Sequence, residues 1–412
     1  ADFTVTQNEV TGTLFFEPLS PATHSGVAVA IDPTSNNGVG GMVYVGGSVS
    51  QSLNTGIFKM IPFETSRGCI EELVDYCPMT KDPASLYQLG DGTEANPYLV
   101  CTANQVVELA NDPANWNASI QLGRDIKLGC VGAEYVNIGT FSTPFQGSFD
   151  GQGYVIDGLE LETDSQRSGL FSRIESGAEV RNLVLTNAVI VGSRTGAFVG
   201  GIAAENSGLI EGVGLEGQVF GSDIPILGGL VAKNEGGTIS QSYFKGLVQA
   251  NNILNGQVSL QTGGLVGVND GTIINSYAEG DLIVDESDYL GSLVGLNDQL
   301  FSGASIQDSY SAMRVEGQSS GVYGPADKFS GNYCSFFCTI TGSFYLDEAS
   351  IPSFPAGFDS LTPATGLTQA VLQLPSTDPG FQFDAWDPQI WDFTQSGSPP
   401  RLNWETSGVP LP

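Results

Sequence analysis

The chain has 412 residues, with 54 Gly, 21 Pro and 41% hydrophobic residues, so there is enough apolar surface to bury and the glycines serve turns rather than disorder. Its 45 Asp and Glu against 14 Lys and Arg leave a net charge of −31, which repels phosphate backbones and anionic bilayers and argues against nucleic acid as a partner. No apolar run reaches the ~18 residues that a membrane-crossing helix needs, so no transmembrane segment is expected.

Residues 1–85 contain the runs FTVTQ (3–7), TGTLFF (11–16), GVAVAI (26–31), GGMVYVGG (40–47) and GIFKMIPF (56–63), separated by Pro, Asn and Gly turns. This is the pattern of a separate antiparallel β-rich module for attachment or assembly. An N-terminal strand that pairs with a neighbouring copy would build a fibre by strand addition. The sequence starts at Ala1 rather than Met, as a secreted product does after loss of its signal peptide. His24, the single histidine, sits in PLSPATHSG with no nucleophile signature near it, so no Ser-His or Cys-His site is expected.

Six cysteines fall in three close pairs, Cys69 with Cys77, Cys101 with Cys130, and Cys334 with Cys338. Disulfides formed in an oxidising compartment account for them best. Zinc competes poorly, because one histidine and no CxxC give little support for a tetrahedral site.

Residues 86–166 are expected to cap a stack of repeats and form its first rungs. Thr102 and Gln105 make a capping box, and Val106, Leu109 and Ala110 form a short apolar stripe, predicting a helix over 103–111 that covers the first rung. An uncovered end would expose strand edges to other chains.

Residues 167–330 repeat. The segments SGLFSRI, GGIAAEN, GGLVAKN, GGLVGVN and GSLVGLN start at Ser168, Gly200, Gly228, Gly263 and Gly291, which are 32, 28, 35 and 28 residues apart. Later units continue into a turn, a second run such as GTIINSYA (271–278) and a third such as GDLIV (280–284), so each unit reads as three short strands. One unit cannot bury its apolar side alone; stacked units can. Leu170, Ile202, Leu230, Leu265 and Leu293 then form one internal ladder and Tyr243, Tyr277 and Tyr310 another. Asn206, Asn234, Asn269 and Asn297 stack at a corner, where Asn accepts a left-handed backbone. The expected fold is all-β: a right-handed parallel β-helix, or solenoid, with the N-terminal module and a short capping helix.

Residues 331–412 close the chain. Phe381, Phe383, Trp386, Trp391, Phe393 and Trp404 concentrate aromatic surface in 24 residues. An apolar lid on the last rung is expected, with a sugar-stacking platform as the alternative.

The unit GGLVGVNDGTIINSYAEG (263–280) resembles the GLUG motif, a repeat of large bacterial surface and secreted proteins that include adhesins and certain secreted peptidases. The flanks NPYLVCTANQVVELA (96–110), SIQLGRDIKLG (119–129), PFQGSFDGQGYVIDGLEL (144–161), GLTQAVLQ (366–373), FDAWDPQIWDF (383–393) and PPRLNWE (399–405) are similar to the segments that precede and close such repeats. The resemblance covers roughly residues 88–406. It departs at EGVGLEG, where a SNSYA-like run is expected, and at Cys101 and Cys130.

No motif carries catalysis. GVGLEG (212–217) satisfies G-x-G-x-x-G but lies inside a repeat rather than between a strand and a long helix. Lyase chemistry on a β-helix pairs calcium-bound Asp with a facing base, yet Arg173, Arg181, Arg194, Lys233 and Lys245 are scattered. DGT (91–93), DGQG (150–153) and NDGT (269–272) offer oxygens at turns without EF-hand spacing, so calcium is the one cofactor left open. The expectation is a non-catalytic, disulfide-pinned structural or adhesive protein, secreted and at the cell surface, whose partners are further copies of itself, other surface components or surface glycans. The alternative is a secreted polysaccharide lyase or hydrolase on a β-helix.

Overall fold

The computed structural model describes the backbone of strands Phe3–Gln7, Val10–Leu14, Val27–Asp32 and Met42–Gly47, and residues 90–411 apart from 131–136, 195, 223, 252–259, 288, 298–303, 320–329, 333–338, 348–363 and 396. The chain divides into two compact units, Ala1–Leu73 and Val74–Pro412. In the first, Phe3–Gln7 pairs antiparallel with Val10–Leu14, and Val27–Asp32 with Met42–Gly47. The run at 56–63 lies outside the described residues, as do Cys69, Cys77, Cys334 and Cys338.

The second unit is a parallel β-solenoid built from three sheets that share a core. The first sheet stacks five strands, from Arg167–Ser168 to Tyr289–Gly291, and the second stacks six, from Phe171–Ile174 to Ser330–Asn332. The third is the long wall, 17 strands that include Glu179–Gly192, Leu209–Ser222, Tyr243–Asn251, Tyr277–Ser287 and Tyr310–Ser319. A turn therefore differs from the three runs expected of it. The Gly-Gly step is a corner between the first two sheets, and what reads as a third run is the continuation of the long wall.

The reason for Gly-Gly is steric. A Cβ on Gly263 would lie 2.0 Å from the Val266 carbonyl oxygen, and one on Gly264 2.1 Å from that of Ser292 on the next rung. Only bare backbone fits where two sheets meet this closely.

Leu170, Ile202, Leu230, Leu265 and Leu293 are fully buried in one cluster, and their backbones run rung to rung: Leu230 N–H donates to Leu265 at 2.9 Å, and Leu265 N–H to Leu293 at 2.9 Å. The helix at the N-terminal end is Ala103–Ala110. The capping box of Thr102 and Gln105 is formed, and Val106, Leu109 and Ala110 are packed into the same core.

The asparagines stack through their amides. Asn206 Nδ2 donates to Asn234 Oδ1 at 2.9 Å, Asn234 to Asn269 at 2.8 Å and Asn269 to Asn297 at 2.8 Å, all fully buried. The expected left-handed backbone is absent from them, because each ends an extended strand of the second sheet. It occurs instead at a kink in the long wall, at Asn182, Gly212, Gln241, Asn275, Asp308 and Gly342, with φ between 45° and 64°. These residues occupy equivalent places on successive rungs, each between register-paired neighbours. Buried serines follow the last four. Ser242 N–H donates to Ser276 Oγ at 3.2 Å, Ser276 to Ser309 at 3.1 Å and Ser309 to Ser343 at 3.3 Å, so a side chain fills the gap in backbone pairing that the kink opens.

Candidate functional site

The kink turns the tyrosines to the outer side of the long wall, away from the leucine core that the sequence suggested for them. Tyr243, Tyr277 and Tyr310 stack with centroids 5.2 and 4.9 Å apart and ring planes within 12° and 3°. Those spacings are close to the ~4.8 Å between paired strands, so register alone brings the rings face to face. The repeat that departs from the pattern, EGVGLEG, has a physical reason here. Gly214 is the register partner of Tyr243, and a Cβ there would meet the Tyr243 ring at 2.4 Å.

The C-terminal aromatic segment covers this ladder. It is a strap laid back along the flank of the solenoid rather than a lid on the last rung. Trp386 Nε1 donates to the Gly342 carbonyl at 2.7 Å, Trp391 Nε1 to Asn275 Oδ1 at 3.2 Å and Trp404 Nε1 to the Gln241 carbonyl at 2.9 Å. At the far end, Leu411 exchanges two hydrogen bonds with the Asn182 amide, at 2.9 and 3.2 Å. Four left-handed residues thus serve as the strap's anchor points, since the kink turns polar groups there away from the sheet ladder. Trp386, Trp391, Trp404, Phe381 and Phe383 are all buried, so their faces are not available to stack on sugars.

Charges close the strap. Tyr277 Oη donates to Glu405 at 2.8 Å and accepts from Arg401 at 3.1 Å; Arg401 also pairs with Glu279, and Lys245 with Glu405. Burial holds the phenols of Tyr243, Tyr277 and Tyr310 well above their ordinary pKa, so they remain neutral donors. Burial also works against the charge on Arg401, but Tyr310, Tyr277 and Glu279 outweigh it and raise its pKa.

Basic residues that look scattered in the sequence are partly brought together with carboxylates on the second sheet. Arg173, Glu205 and Lys233 are register partners on the second sheet; Glu205 holds Arg167 at 2.8 Å and Arg173 at 3.5 Å, while Lys233 holds Glu235 at 2.7 Å. Arg181 pairs with Glu211 at 2.9 Å, and Arg194 approaches the Asp164 carbonyl at 3.5 Å. GVGLEG lies within strand Leu209–Ser222. The turn carboxylates are engaged locally: Asp91 accepts from Thr93 Oγ1 at 2.7 Å, which lowers its pKa, and Asp150 accepts from Gln152 N–H at 2.9 Å. Among the described residues, no group of three or more His, Cys, Asp and Glu could hold a metal, and no helix is long and apolar enough to cross a membrane. Cys101 is disulfide-bonded. His24 lies outside the described residues.

Stacked side-chain ladders, a capped first rung and a strapped flank define a parallel β-solenoid. The family model of the GLUG motif matches one of its repeat units, at residues 259–283. The chain is 34% identical over 138 residues to a provisionally named Gly-rich membrane protein of Evansella cellulosilytica, covering 32% of this chain and 16% of that one. It is 27% identical over 155 residues to the halomucin of Haloquadratum walsbyi (34% and 2%), and 30% over 240 residues to an immunoglobulin A1 protease of Streptococcus pneumoniae (56% and 11%). The chain therefore spans only a small part of each of these relatives. A crystal structure of a provisionally assigned immunoglobulin A1 protease from Bacteroides ovatus has the same fold, with a TM-score of 0.56 at 20% identity over 78% of this chain and 96% of that one.

Proposed function

We propose that this chain is a non-catalytic solenoid scaffold of a secreted or cell-surface protein, holding attached modules at a fixed distance and carrying adhesive contacts on its walls. The observation that carries this reading is the unbroken rung-to-rung continuity of its leucine, asparagine, serine and tyrosine ladders, which gives a stiff body. The relatives it partly matches are named as a Gly-rich membrane protein, a halomucin and an immunoglobulin A1 protease, three different settings. A spacer suits all three settings. Cys101 bonded to Cys130 would pin the capping helix to the first rungs, and strand addition through residues 1–85 would join copies end to end.

Electron microscopy of the purified chain at millimolar calcium tests the assembly part: filaments support it, and monodisperse particles at all concentrations remove it. Binding to cells and to a glycan array tests adhesion. The second reading, an enzyme, rests on the protease relatives and on the β-helix hydrolases and lyases. Depolymerisation of a polysaccharide or cleavage of immunoglobulin A1 by the purified chain, abolished by changing one wall carboxylate, would replace the scaffold reading.

A further inference from the structure

The strap has a direction. Its anchors run backwards along the solenoid, from Trp386 on Gly342 through Trp391 on Asn275 and Trp404 on Gln241 to Leu411 on Asn182. The last anchor is thus on an early rung, and Pro410 packs near Gly153 of a rung earlier still. Tension applied at the C-terminus meets these anchors one at a time, starting with the two hydrogen bonds between Leu411 and the Asn182 amide. Rungs, by contrast, are joined by three parallel sheets and four side-chain ladders that would have to break together.

We propose that the strap, Leu372 to Leu411, is a mechanical clasp that peels from its C-terminal end under load, one tryptophan at a time, and releases slack before any rung separates. Three of the four anchors hold a tryptophan in a preformed place, so the clasp closes again when tension is removed. The clasp is a property of this chain by itself, so its failure would leave the scaffold reading standing. On that reading, it protects the stack from sudden tension.

Optical tweezers on the 412-residue chain test this, with one handle at the exposed Ser176 and the other at Pro412. Peeling the strap frees roughly 40 residues, a first extension of about 13–15 nm at ~3.4 Å per residue. Unravelling everything from Ser176 to the C-terminus gives about 80 nm. The expected record is a first extension of about 15 nm in one or more small steps, reversible on relaxation, followed by larger events at higher force. Trp391→Phe, which keeps one aromatic ring but loses part of the indole packing and the N–H to Asn275, should lower the force of that first phase and leave the later events unchanged. A first event longer than about 20 nm, or a first phase that does not respond to Trp391→Phe, overturns the proposal.

Discussion

Asn234→Ala is the sharpest test of the ladders. Asn234 is fully buried, and its amide accepts from Asn206 at 2.9 Å, donates to Asn269 at 2.8 Å and donates to the Gly237 carbonyl at 3.0 Å. Each partner keeps a weaker or second contact: Asn206 Nδ2 reaches Gly208 O at 3.4 Å, Asn269 Oδ1 accepts from Gly271 N–H at 3.3 Å, and Gly237 O accepts from Thr272 N–H at 2.9 Å. No partner is fully orphaned, so the cost is three net hydrogen bonds of about 1 kcal/mol each, or about 3 kcal/mol. The exposed Asn111, whose amide donates to the Val107 carbonyl at 2.9 Å, provides the control, and Asn111→Ala should cost under about 1 kcal/mol. The assay is urea unfolding followed by far-UV circular dichroism and tryptophan fluorescence together, because a stack of repeats need not unfold in one step. A loss below about 1 kcal/mol at Asn234, or equal losses at the two sites, refutes the view that the amide column ties the rungs.

Three further outcomes are expected. Trp391→Ala, which removes a ring packed on Tyr277, Tyr310 and Trp386, should cost about 3–5 kcal/mol and make residues 372–411 sensitive to protease; unchanged stability and protease resistance would contradict the packing described. Asp392 has its pKa lowered because hydrogen bonds from Thr394 outweigh the opposing effect of burial. Its contribution is therefore present above its unfolded value near 3.8 and disappears as pH falls through its lower folded value. The stability gap between wild type and Asp392→Asn should close as pH drops from about 5 to about 2, and a gap independent of pH would sink that assignment. Peptide mapping without reductant should recover Cys101 joined to Cys130; for a loop of roughly 30 residues, reduction then costs about 3–4 kcal/mol. Recovery of Cys101 with any other cysteine would disprove the pairing.

The amino-acid sequence by itself determined the solenoid and the helical cap. Leu170, Ile202, Leu230, Leu265 and Leu293 recur at one place in each unit because every turn must offer the same apolar face to its neighbours, and that periodicity survives in one dimension. The capping box at Thr102 and Gln105 is a local device and was readable for the same reason. Only the tertiary structure decided which wall the tyrosines belong to, and where the strap lies. The left-handed column is occupied by Asn, Gly, Gln, Asn, Asp and Gly in turn, since the backbone conformation is shared while the side chain is free to vary. The strap's aromatic content is plain in the sequence, but its destination is not. Trp404 and Gln241 are 163 residues apart, and Leu411 and Asn182 are 229. A contact of that range leaves no spacing to read, because it is set by where the stacked coils bring distant segments together.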